Sequence, residues 1–233
     1  MLLFYTPHIS GERYVLPEEE SRHCIRVLRL SKGDTLHLTD GRGVLYTAQI
    51  IDDSVKHCEI KITGKQEHCG ARNYYLHLAV APTKNNDRYE QFLDTATETG
   101  IDEITPVICD HSERRTVKTE RLEKILVAAM KQSLKTRLPQ LNRPTAFADF
   151  IRQPFDGGKY IGCCHPDIPR ELFWKALPPD NRRVLMLVGP EGDFSAYEMQ
   201  AALQAGFKAV SFGESRFRVE TAAIIACMAT YMN

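Results

Sequence analysis

The feature that most constrains the fold is a run of five apolar residues that leads directly into a glycine-containing loop. The run is Val184–Val188, the loop is 189–193 (GPEGD), and a helix-compatible stretch begins at Ser195. A short apolar run bounded by turn residues is typical of a strand that is buried on both faces. A buried strand followed by a helix predicts an α/β unit with a parallel sheet.

The same alternation of strands and helices extends over the last two thirds of the chain. Strands are predicted at 74–80, 104–109, 159–164, 184–188 and 209–212. Helices are predicted at 87–99, which ends at Gly100, at 121–134, at 195–205 and from Glu220 onward. Residues 73–233 are therefore expected to form one α/β domain around a mostly parallel sheet.

The first 70 residues have a different pattern, in which short strands are separated by turn residues. Strands are predicted at 14–16, 35–39, 45–51 and 58–62. One helix is expected to start at Pro17 and to continue from His23 to Leu30. Residues 1–70 are therefore predicted to form a small β barrel or sandwich, with the domain boundary at 68–73.

The bulk composition excludes several classes of protein. The 30 basic and 30 acidic residues give no net charge, so the chain does not coat nucleic acid by bulk charge. No apolar run is long enough to span a bilayer and no signal peptide is evident, so a cytoplasmic location is expected. The seven scattered cysteines indicate reduced thiols, and the eight histidines form no HxxxH or HExxH pattern, so no metal is expected.

Three loops follow predicted strands at the edge where open parallel sheets bind their ligands. These loops are residues 163–166 (CCHP), 189–193 and 211–218 (SFGESRFR). Because the carboxyl ends of parallel strands meet at one edge of the sheet, these loops are the candidate ligand-binding elements.

The second loop has two interpretations. Gly189 and Gly192 permit a close backbone approach and positive φ angles. Ser195 with Glu198 matches a capping box, so the loop is also compatible with a purely structural strand-to-helix connection. The loop lacks the GxGxxG and GxxxxGK[ST] spacings, which excludes a Rossmann turn and a P-loop. An adenosine ligand held mainly by backbone groups remains an alternative.

The third loop combines arginines with the start of an apolar helix. Arg216 and Arg218 are compatible with solvated surface cations, but they precede the apolar stretch 222–229. A helix that is apolar on all sides is buried in a core or an interface. Arginines at the start of such a helix are well placed to contact phosphate or a base edge.

These loops resemble two signature loops of the RsmE family, which methylate N3 of a uridine in 16S ribosomal RNA with S-adenosylmethionine and belong to the SPOUT superfamily. Essentially the whole chain takes part in the resemblance. Further matching segments are 23–34, Asp40–Gly43, Lys84 to Gly100, Ser112–Arg114 and Gln132 to Pro139. The chain departs from the family pattern at Thr95, Thr99, Lys135 and Ser215.

The resemblance implies a SPOUT-type knotted parallel-sheet methyltransferase domain, with a trefoil knot near its C-terminus, preceded by a small PUA-like RNA-binding barrel. It also implies a homodimer and 16S rRNA of the small subunit as partner. The cofactor-binding residues that it implies are His165, Leu187, Val188, Gly189, Pro190, Glu191, Gly192, Phe212, Gly213, Glu214, Phe217 and Arg218. Arg218 and Glu220 are the expected catalytic residues, with Glu191 and Glu220 as alternative proton acceptors or residues that orient Arg218.

The basic residues supply candidate RNA contacts. Those expected from the resemblance and from charge clustering are Arg22, Arg26, Arg29, Lys84, Arg88 and Arg114. Arg22, Arg26 and Arg29 are spaced to share one face of the predicted helix. The alternative is that these are only solvated faces. Two other function classes stay open on the residues alone: an RNA-binding assembly factor without catalysis, and an α/β enzyme that acts on a small nucleotide.

Overall fold

The chain forms two compact units. The computed structural model describes residues 2–165, 167–178 and 183–233, so Pro166, which ends the first of the three loops, lies outside the described residues. The first unit comprises Met1–Ala71 and Val127–Leu138, and the second comprises Arg72–Leu126 and Pro139–Asn233.

The first unit is built on a curled, mostly antiparallel sheet. Its strands are β1 (Leu3–Tyr5), β2 (Arg13–Val15), β3 (Thr35–Thr39), β4 (Leu45–Asp52) and β5 (Glu59–Gln66). The strand order is β1-β3-β4-β5-β2, and the pair β1–β3 is parallel. The four strands predicted from alternation are confirmed. The prediction missed β1 because three residues carry too little alternation to be recognised.

The predicted helix of the first unit is shorter than expected. Pro17 precedes α1 (Glu18–Arg22), which continues into a π-helical turn, His23–Val27. The helix then ends, and Arg29 has a left-handed φ of 58°. The prediction of a helix to Leu30 is wrong, because the π turn widens the helix and stops its hydrogen-bonding pattern. Arg29 therefore does not extend a helical face that begins at Arg22.

The second unit contains a parallel sheet. Its strands are β6 (Tyr75–Val80), β7 (Glu103–Ile108), β8 (Gln140–Leu141), β9 (Thr145–Ala146), β10 (Gly158–Gly162), β11 (Glu171–Leu172), β12 (Arg183–Val188) and β13 (Lys208–Ser211). The strand order is β11-β13-β10-β12-β6-β7-β8, and β9 also pairs with β7. Every strand pair that the described residues form in this sheet is parallel.

Helices connect these strands. They are α2 (Asn86–Thr99), α3 (Thr119–Gln132), α4 (Phe147–Phe150), α5 (Phe173–Ala176), α6 (Ala196–Gln204) and α7 (Val219–Met232). The α/β architecture and its long elements confirm the sequence predictions. The short elements β8, β9, β11, α4 and α5 were missed, since two to four residues show no periodicity. The trefoil knot stays a prediction.

Local sequence signals explain where the helices begin and end. The Asn85 side chain caps α2, and Gly100 ends it with a left-handed φ of 106°. Ser195 and Glu198 form both hydrogen bonds of the predicted capping box at α6. None of the helices in the described ranges combines the length and apolar character that crossing a bilayer requires.

The core of the second unit surrounds the central strands. Val107, Ile161, Leu187 and Phe194 are at most 1% exposed and belong to one apolar cluster that covers a face of the sheet. All seven cysteines are free thiols, as predicted, and five of them are buried. The packed strands therefore hold their carboxyl-terminal loops on a rigid base.

Candidate active site

A cavity lies at the carboxyl ends of β10, β12 and β13. These strands are neighbours in the sheet, although they are separated in sequence, and each contributes its last residue: Gly162, Val188 and Ser211. The cavity has a volume of about 470 Å³, within the range of about 300–1,000 Å³ that is usual for small-molecule sites. All three predicted loops reach it, as the strand-end rule led us to expect.

The glycines of the second loop serve close packing. A Cβ atom on Gly189 would lie 2.9 Å from the Phe194 ring, and one on Gly192 would lie 3.0 Å from Cβ of His111. Neither glycine has a positive φ, so that part of the prediction is wrong. The left-handed residue is Asp193, with φ 62°, because its amide closes a turn onto the Pro190 carbonyl at 2.9 Å.

The second loop is tied to the loop that follows β7. The Glu198 carboxylate accepts hydrogen bonds from the amides of Ser195 and Asp110, each at 2.9 Å. The Ser195 hydroxyl donates to the Asp110 carboxylate at 2.7 Å. Nδ1 of His111 lies 3.0 Å from the Asp193 carbonyl oxygen. Glu198 is 3% exposed, so this buried network holds the loop in one conformation.

The third loop forms another wall of the cavity. Gly213 has a φ of 116°, a conformation that other residues rarely adopt, and the space where its Cβ would lie is open. The exposed residues Arg216, Phe217 and Arg218 follow, and Arg218 is the N-cap of α7. Arg216 donates weakly to the Glu191 carbonyl oxygen at 3.5 Å. The loop thus presents cations and an aromatic ring to the cavity.

Nine of the twelve predicted cofactor-binding residues line this cavity. They are Val188, Gly189, Pro190, Glu191, Phe212, Gly213, Glu214, Phe217 and Arg218. The other three do not line it. Leu187 is fully buried, Gly192 packs on His111, and His165 lines a neighbouring groove against α6.

The predicted catalytic residues differ in their position. Arg218 lines the cavity, and the described residues offer its guanidinium no carboxylate within 4.0 Å. Glu220 is not part of the lining, is 7% exposed, and has its carboxylate 3.8 Å from Nε of Arg88 on α2. The Glu191 carboxylate is exposed at the cavity and accepts a hydrogen bond from the Lys84 amide at 3.0 Å.

The predicted RNA-binding residues lie in both units. In the first unit, Arg22 pairs with Glu18 at 2.6 Å, while Arg26 and Arg29 are exposed. In the second unit, Nζ of Lys84 pairs with Glu113 at 2.8 Å. The Arg114 guanidinium donates to the Lys84 carbonyl oxygen at 2.8 Å and to the Asn86 side chain. Lys84 and Arg114 are therefore brought together with the second loop, whereas Arg88 pairs with Glu220 at the start of α7.

Several lining residues are absent from the set that was predicted to bind the cofactor. Cys164 and Arg170 come from the segment after β10, and Asp193 and Ser215 come from the two signature loops. Arg216 also lines the cavity, and it was predicted only as a contact for phosphate or a base edge. The strand-end rule pointed to Cys164 by its position. Nothing in the sequence indicated Arg170, because it lies eight positions after the end of β10.

The cavity contains thiols but no nucleophilic cysteine. Burial raises the pKa of both the Cys163 and Cys164 thiols, with Asp193 acting in the same direction. A thiol whose pKa is raised stays protonated at neutral pH and is a poor nucleophile. Within the described part of the chain, no three His, Cys, Asp or Glu side chains converge as metal ligands. The arginines, the carboxylates and the backbone groups are therefore the chemically important parts of the site.

Comparison with known protein families agrees with this architecture. Residues 71–231 match a family described as the RNA methyltransferase domain, and residues 16–63 match the RNA methyltransferase PUA domain. The first match covers the whole sheet of the second unit, and the second match lies within the curled sheet of the first.

Individual relatives agree over nearly the whole chain. The Ribosomal RNA small subunit methyltransferase E of Rickettsia conorii is 29% identical over 93% of this chain and 88% of its own. A probable rRNA-methyltransferase from Porphyromonas gingivalis has a crystal structure with a TM-score of 0.90 and 39% identity, covering 98% of this chain and 96% of its own. The methyltransferase E of Neisseria gonorrhoeae, solved with bound S-adenosyl methionine, has a TM-score of 0.85 and 26% identity, covering 100% and 97%. The chain belongs to the RsmE family of RNA methyltransferases.

Proposed function

We propose that this protein transfers a methyl group from S-adenosylmethionine to N3 of one uridine in 16S rRNA of the small ribosomal subunit. The observation that carries the proposal is the cavity at the carboxyl ends of β10, β12 and β13, which combines glycine turns, apolar side chains and arginines. The relatives are named as ribosomal RNA methyltransferases, and one was solved with bound S-adenosyl methionine, which supports this substrate and this ligand.

The residues present fit this cofactor. Val188, Phe212 and Val219 provide apolar surface for an adenine ring, and the backbone at Gly189 and Gly213 is uncovered for hydrogen bonding to its edge. The open space beside Gly213 leaves room for a ligand at the third loop. Glu191 and Asp193 can attract the positively charged end of the ligand. When bound, the cofactor supplies an electrophilic methyl group on a sulfonium.

Methylation at N3 requires that the uracil lose its N3 proton as the new N–CH₃ bond forms. The negative charge that develops on the ring is delocalised onto its carbonyl oxygens. We assign its stabilisation to Arg218, a permanent cation at the cavity. The guanidinium can also orient the ring, so that N3 lies in line with the methyl group.

The proton needs an acceptor at the cavity. Glu191 and Glu220 are the two predicted proton acceptors, and of these Glu191 lines the cavity. Its exposed side chain can accept the N3 proton. Glu220 is paired with Arg88, so we assign it a positioning role at the start of α7, where it holds the helix that carries Arg218.

RNA recognition is assigned to both units. We propose residues 1–70 as the RNA-binding domain and residues 73–233 as the methyltransferase domain. Arg22, Arg26 and Arg29 of the first, and Lys84, Arg88 and Arg114 of the second, would contact phosphates. The target base must leave its stack to reach the cavity. Because small-subunit rRNA is a cytoplasmic molecule, we also propose a cytoplasmic location.

We further propose a homodimer. The last turns of α7 expose large apolar side chains: Met228 is 41% exposed, Tyr231 58% and Met232 76%. A second copy of the chain would remove these side chains from water. Light scattering after size-exclusion chromatography tests this, and Met228→Glu with Tyr231→Glu should shift a dimeric mass to the monomeric value.

The test of the proposed function is methyl transfer. The protein is incubated with S-adenosylmethionine that carries a labelled methyl group and with small ribosomal subunits that lack the modification, and the labelled nucleotide is mapped. Label on N3 of one uridine supports the proposal. Binding of the cofactor without label on this RNA would indicate another substrate, and failure to bind the cofactor would contradict the assignment of the cavity.

A further inference from the structure

Two arginines of the first unit lie directly opposite each other. The turn Asp40–Gly43 joins β3 to β4, and residues Thr136–Leu138 run beside it. Arg42 and Arg137 form an antiparallel bridge. It is flanked by hydrogen bonds from the Gly43 amide to the Thr136 carbonyl oxygen at 2.8 Å and from the Leu138 amide to the Gly41 carbonyl oxygen at 2.9 Å.

This hydrogen-bonding pattern brings the two side chains together. In an antiparallel pair, residues at directly opposite positions project from the same face, and they are closest where the flanking residues make the hydrogen bonds. Like charges in this arrangement destabilise a sheet. The backbone therefore concentrates two positive charges at a place where folding alone would disfavour them.

The described residues provide no ion-pair partner for either arginine. Among the described residues, neither guanidinium has a carboxylate within 4.0 Å, and the Asp40 side chain instead accepts the Arg42 backbone amide at 2.8 Å. Nε of Arg137 is buried and has no hydrogen-bond partner among the residues that the structure describes. A buried donor without a partner is rare in folded proteins and indicates a missing acceptor.

The turn is shaped around these side chains. Gly43 has a φ of 96°, which favours glycine, and a Cβ atom there would lie 2.9 Å from Cζ of Arg137, so the guanidinium lies directly against the turn. A Cβ atom on Gly41 would lie 2.9 Å from the ring of Tyr5, the last residue of β1. Burial raises the pKa of Tyr5, the Arg42 charge opposes this shift and the Asp40 carboxylate adds to it, so the phenol shares its surroundings with Arg42.

We propose that Arg42 and Arg137 bind one phosphate group of the RNA strand, with the Tyr5 phenol beside it. The planar guanidinium groups match the oxygens of a phosphodiester, and the phosphate neutralises the like-charge pair and accepts the hydrogen bond of Nε of Arg137. This site rests on the proposed function and extends it, since Arg42 and Arg137 are additional to the six cations assigned above.

The experiment measures RNA affinity as a function of salt. A fluorescein-labelled transcript of small-subunit rRNA is titrated with wild-type protein, with Arg42→Gln, with Arg137→Gln and with the double variant. Each glutamine should weaken binding several-fold, and the double variant should lower the slope of log K against log salt by about 0.7, the value for one phosphate contact on a single strand. Arg152→Gln, at an exposed position of the second unit, is the matched control and should leave affinity and slope unchanged.

Further readouts separate binding from a structural role. Arg42→Gln should keep or raise the melting temperature while it weakens RNA binding, because it relieves the like-charge pair. Arg42→Lys with Arg137→Lys should retain the salt slope but bind more weakly than wild type, since lysine lacks the planar fork. If Arg137→Gln does not fold, the Arg42→Gln variant tests the site by itself, because Arg42 is exposed.

The outcomes distinguish this site from the proposed function. RNA binding and methylation by wild type, together with unchanged affinity and slope in Arg42→Gln and the double variant, would overturn the phosphate site and leave the proposed function intact. Saturable binding of inorganic phosphate at the pair without any effect of the variants on RNA would also overturn it, by assigning the site to a free anion. A wild-type protein that neither binds nor methylates rRNA would overturn both.

Discussion

The polar side chains of the second unit occur in two contrasting settings. One is a hydrogen-bonded group on β6 and β7, and the other is the lining of the cavity. In the first, His77 is 6% exposed, and its Nε2 lies 2.7 Å from Oγ1 of Thr105. The Asn142 side-chain amide donates to Glu103 at 2.6 Å and to Thr105 at 2.8 Å, and the Tyr75 hydroxyl also donates to Glu103. These groups satisfy one another.

Around the cavity, two arginines take no part in such a network among the described residues. Arg218 has no side-chain partner among the described residues, and Arg216 has only a long contact with the Glu191 carbonyl oxygen. This difference distinguishes the polar residues that stabilise the fold from those that remain available to a ligand. A closed network contributes stability, whereas exposed and unpaired groups at a cavity are retained for binding or catalysis.

The largest expected effect is that of Arg218→Ala. Loss of a preorganised cation at the reacting base should lower the rate of methyl transfer by about 10²–10³-fold. The dissociation constant for S-adenosylmethionine should change much less, as measured by titration calorimetry. Arg152→Ala removes another exposed charge of the second unit and should have no effect on the rate. Equal rates for Arg218→Ala and wild type would remove Arg218 from the mechanism.

The second effect concerns the closed network and pH. Burial lowers the pKa of His77 to about 4, although the Glu103 carboxylate opposes the shift. The stabilisation from neutral His77 is complete above the unfolded pKa of about 6.5 and is lost as the pH falls towards 4. The free energy of unfolding should therefore fall by about 2 kcal/mol between pH 7.5 and pH 5 from this group alone.

The control for this prediction is His77→Asn. This variant should be less stable than wild type at neutral pH, because it loses packing and the contact with Thr105, but its stability should depend less on pH over the same window. Urea unfolding at the two pH values measures both quantities. The same pH dependence in variant and wild type would show that another group causes it.

The third effect is on the backbone of the third loop. Gly213→Ala has space for its methyl group but must adopt a φ of 116°, at a cost of about 1–2 kcal/mol. We expect a lower melting temperature and weaker binding of S-adenosylmethionine. Gly64→Ala, in β5 at an ordinary φ and with its nearest neighbour 3.6 Å from the added Cβ, should leave cofactor binding unchanged. Unaltered cofactor affinity in Gly213→Ala would argue against this wall of the cavity.

The smallest expected effect is on the free energy of unfolding and concerns Ser195, which caps α6 beside the cavity loop. Ser195→Ala removes the cap of α6 and the hydrogen bond to Asp110, and should cost about 1 kcal/mol in the free energy of unfolding. Ser10→Ala, in an exposed loop, should cost almost nothing. A lower methyl-transfer rate under conditions where Ser195→Ala is still fully folded would show that Ser195 also positions the second loop for catalysis.

Sequence reasoning was accurate where a local signal was long or chemically specific. The apolar strand at 184–188, the cap at Ser195 and the glycine after α2 each depend on neighbouring residues, and each is confirmed. It was inaccurate where a contact from elsewhere decides the conformation. The sequence predicted a close backbone approach and positive φ angles at Gly189 and Gly192, but neither φ is positive, and the close neighbours are Phe194 and His111.

The succession of β and α/β regions, and the three loops at the ligand-binding edge, could be predicted from the sequence because periodicity and turn chemistry are local properties. Which residues meet depends on the tertiary structure. In the folded chain, Arg170 lies at the cavity, Glu220 pairs with Arg88 outside the lining, and Arg42 lies opposite Arg137. These neighbours are far apart in the chain, and strand order and packing bring them together, which no local pattern encodes.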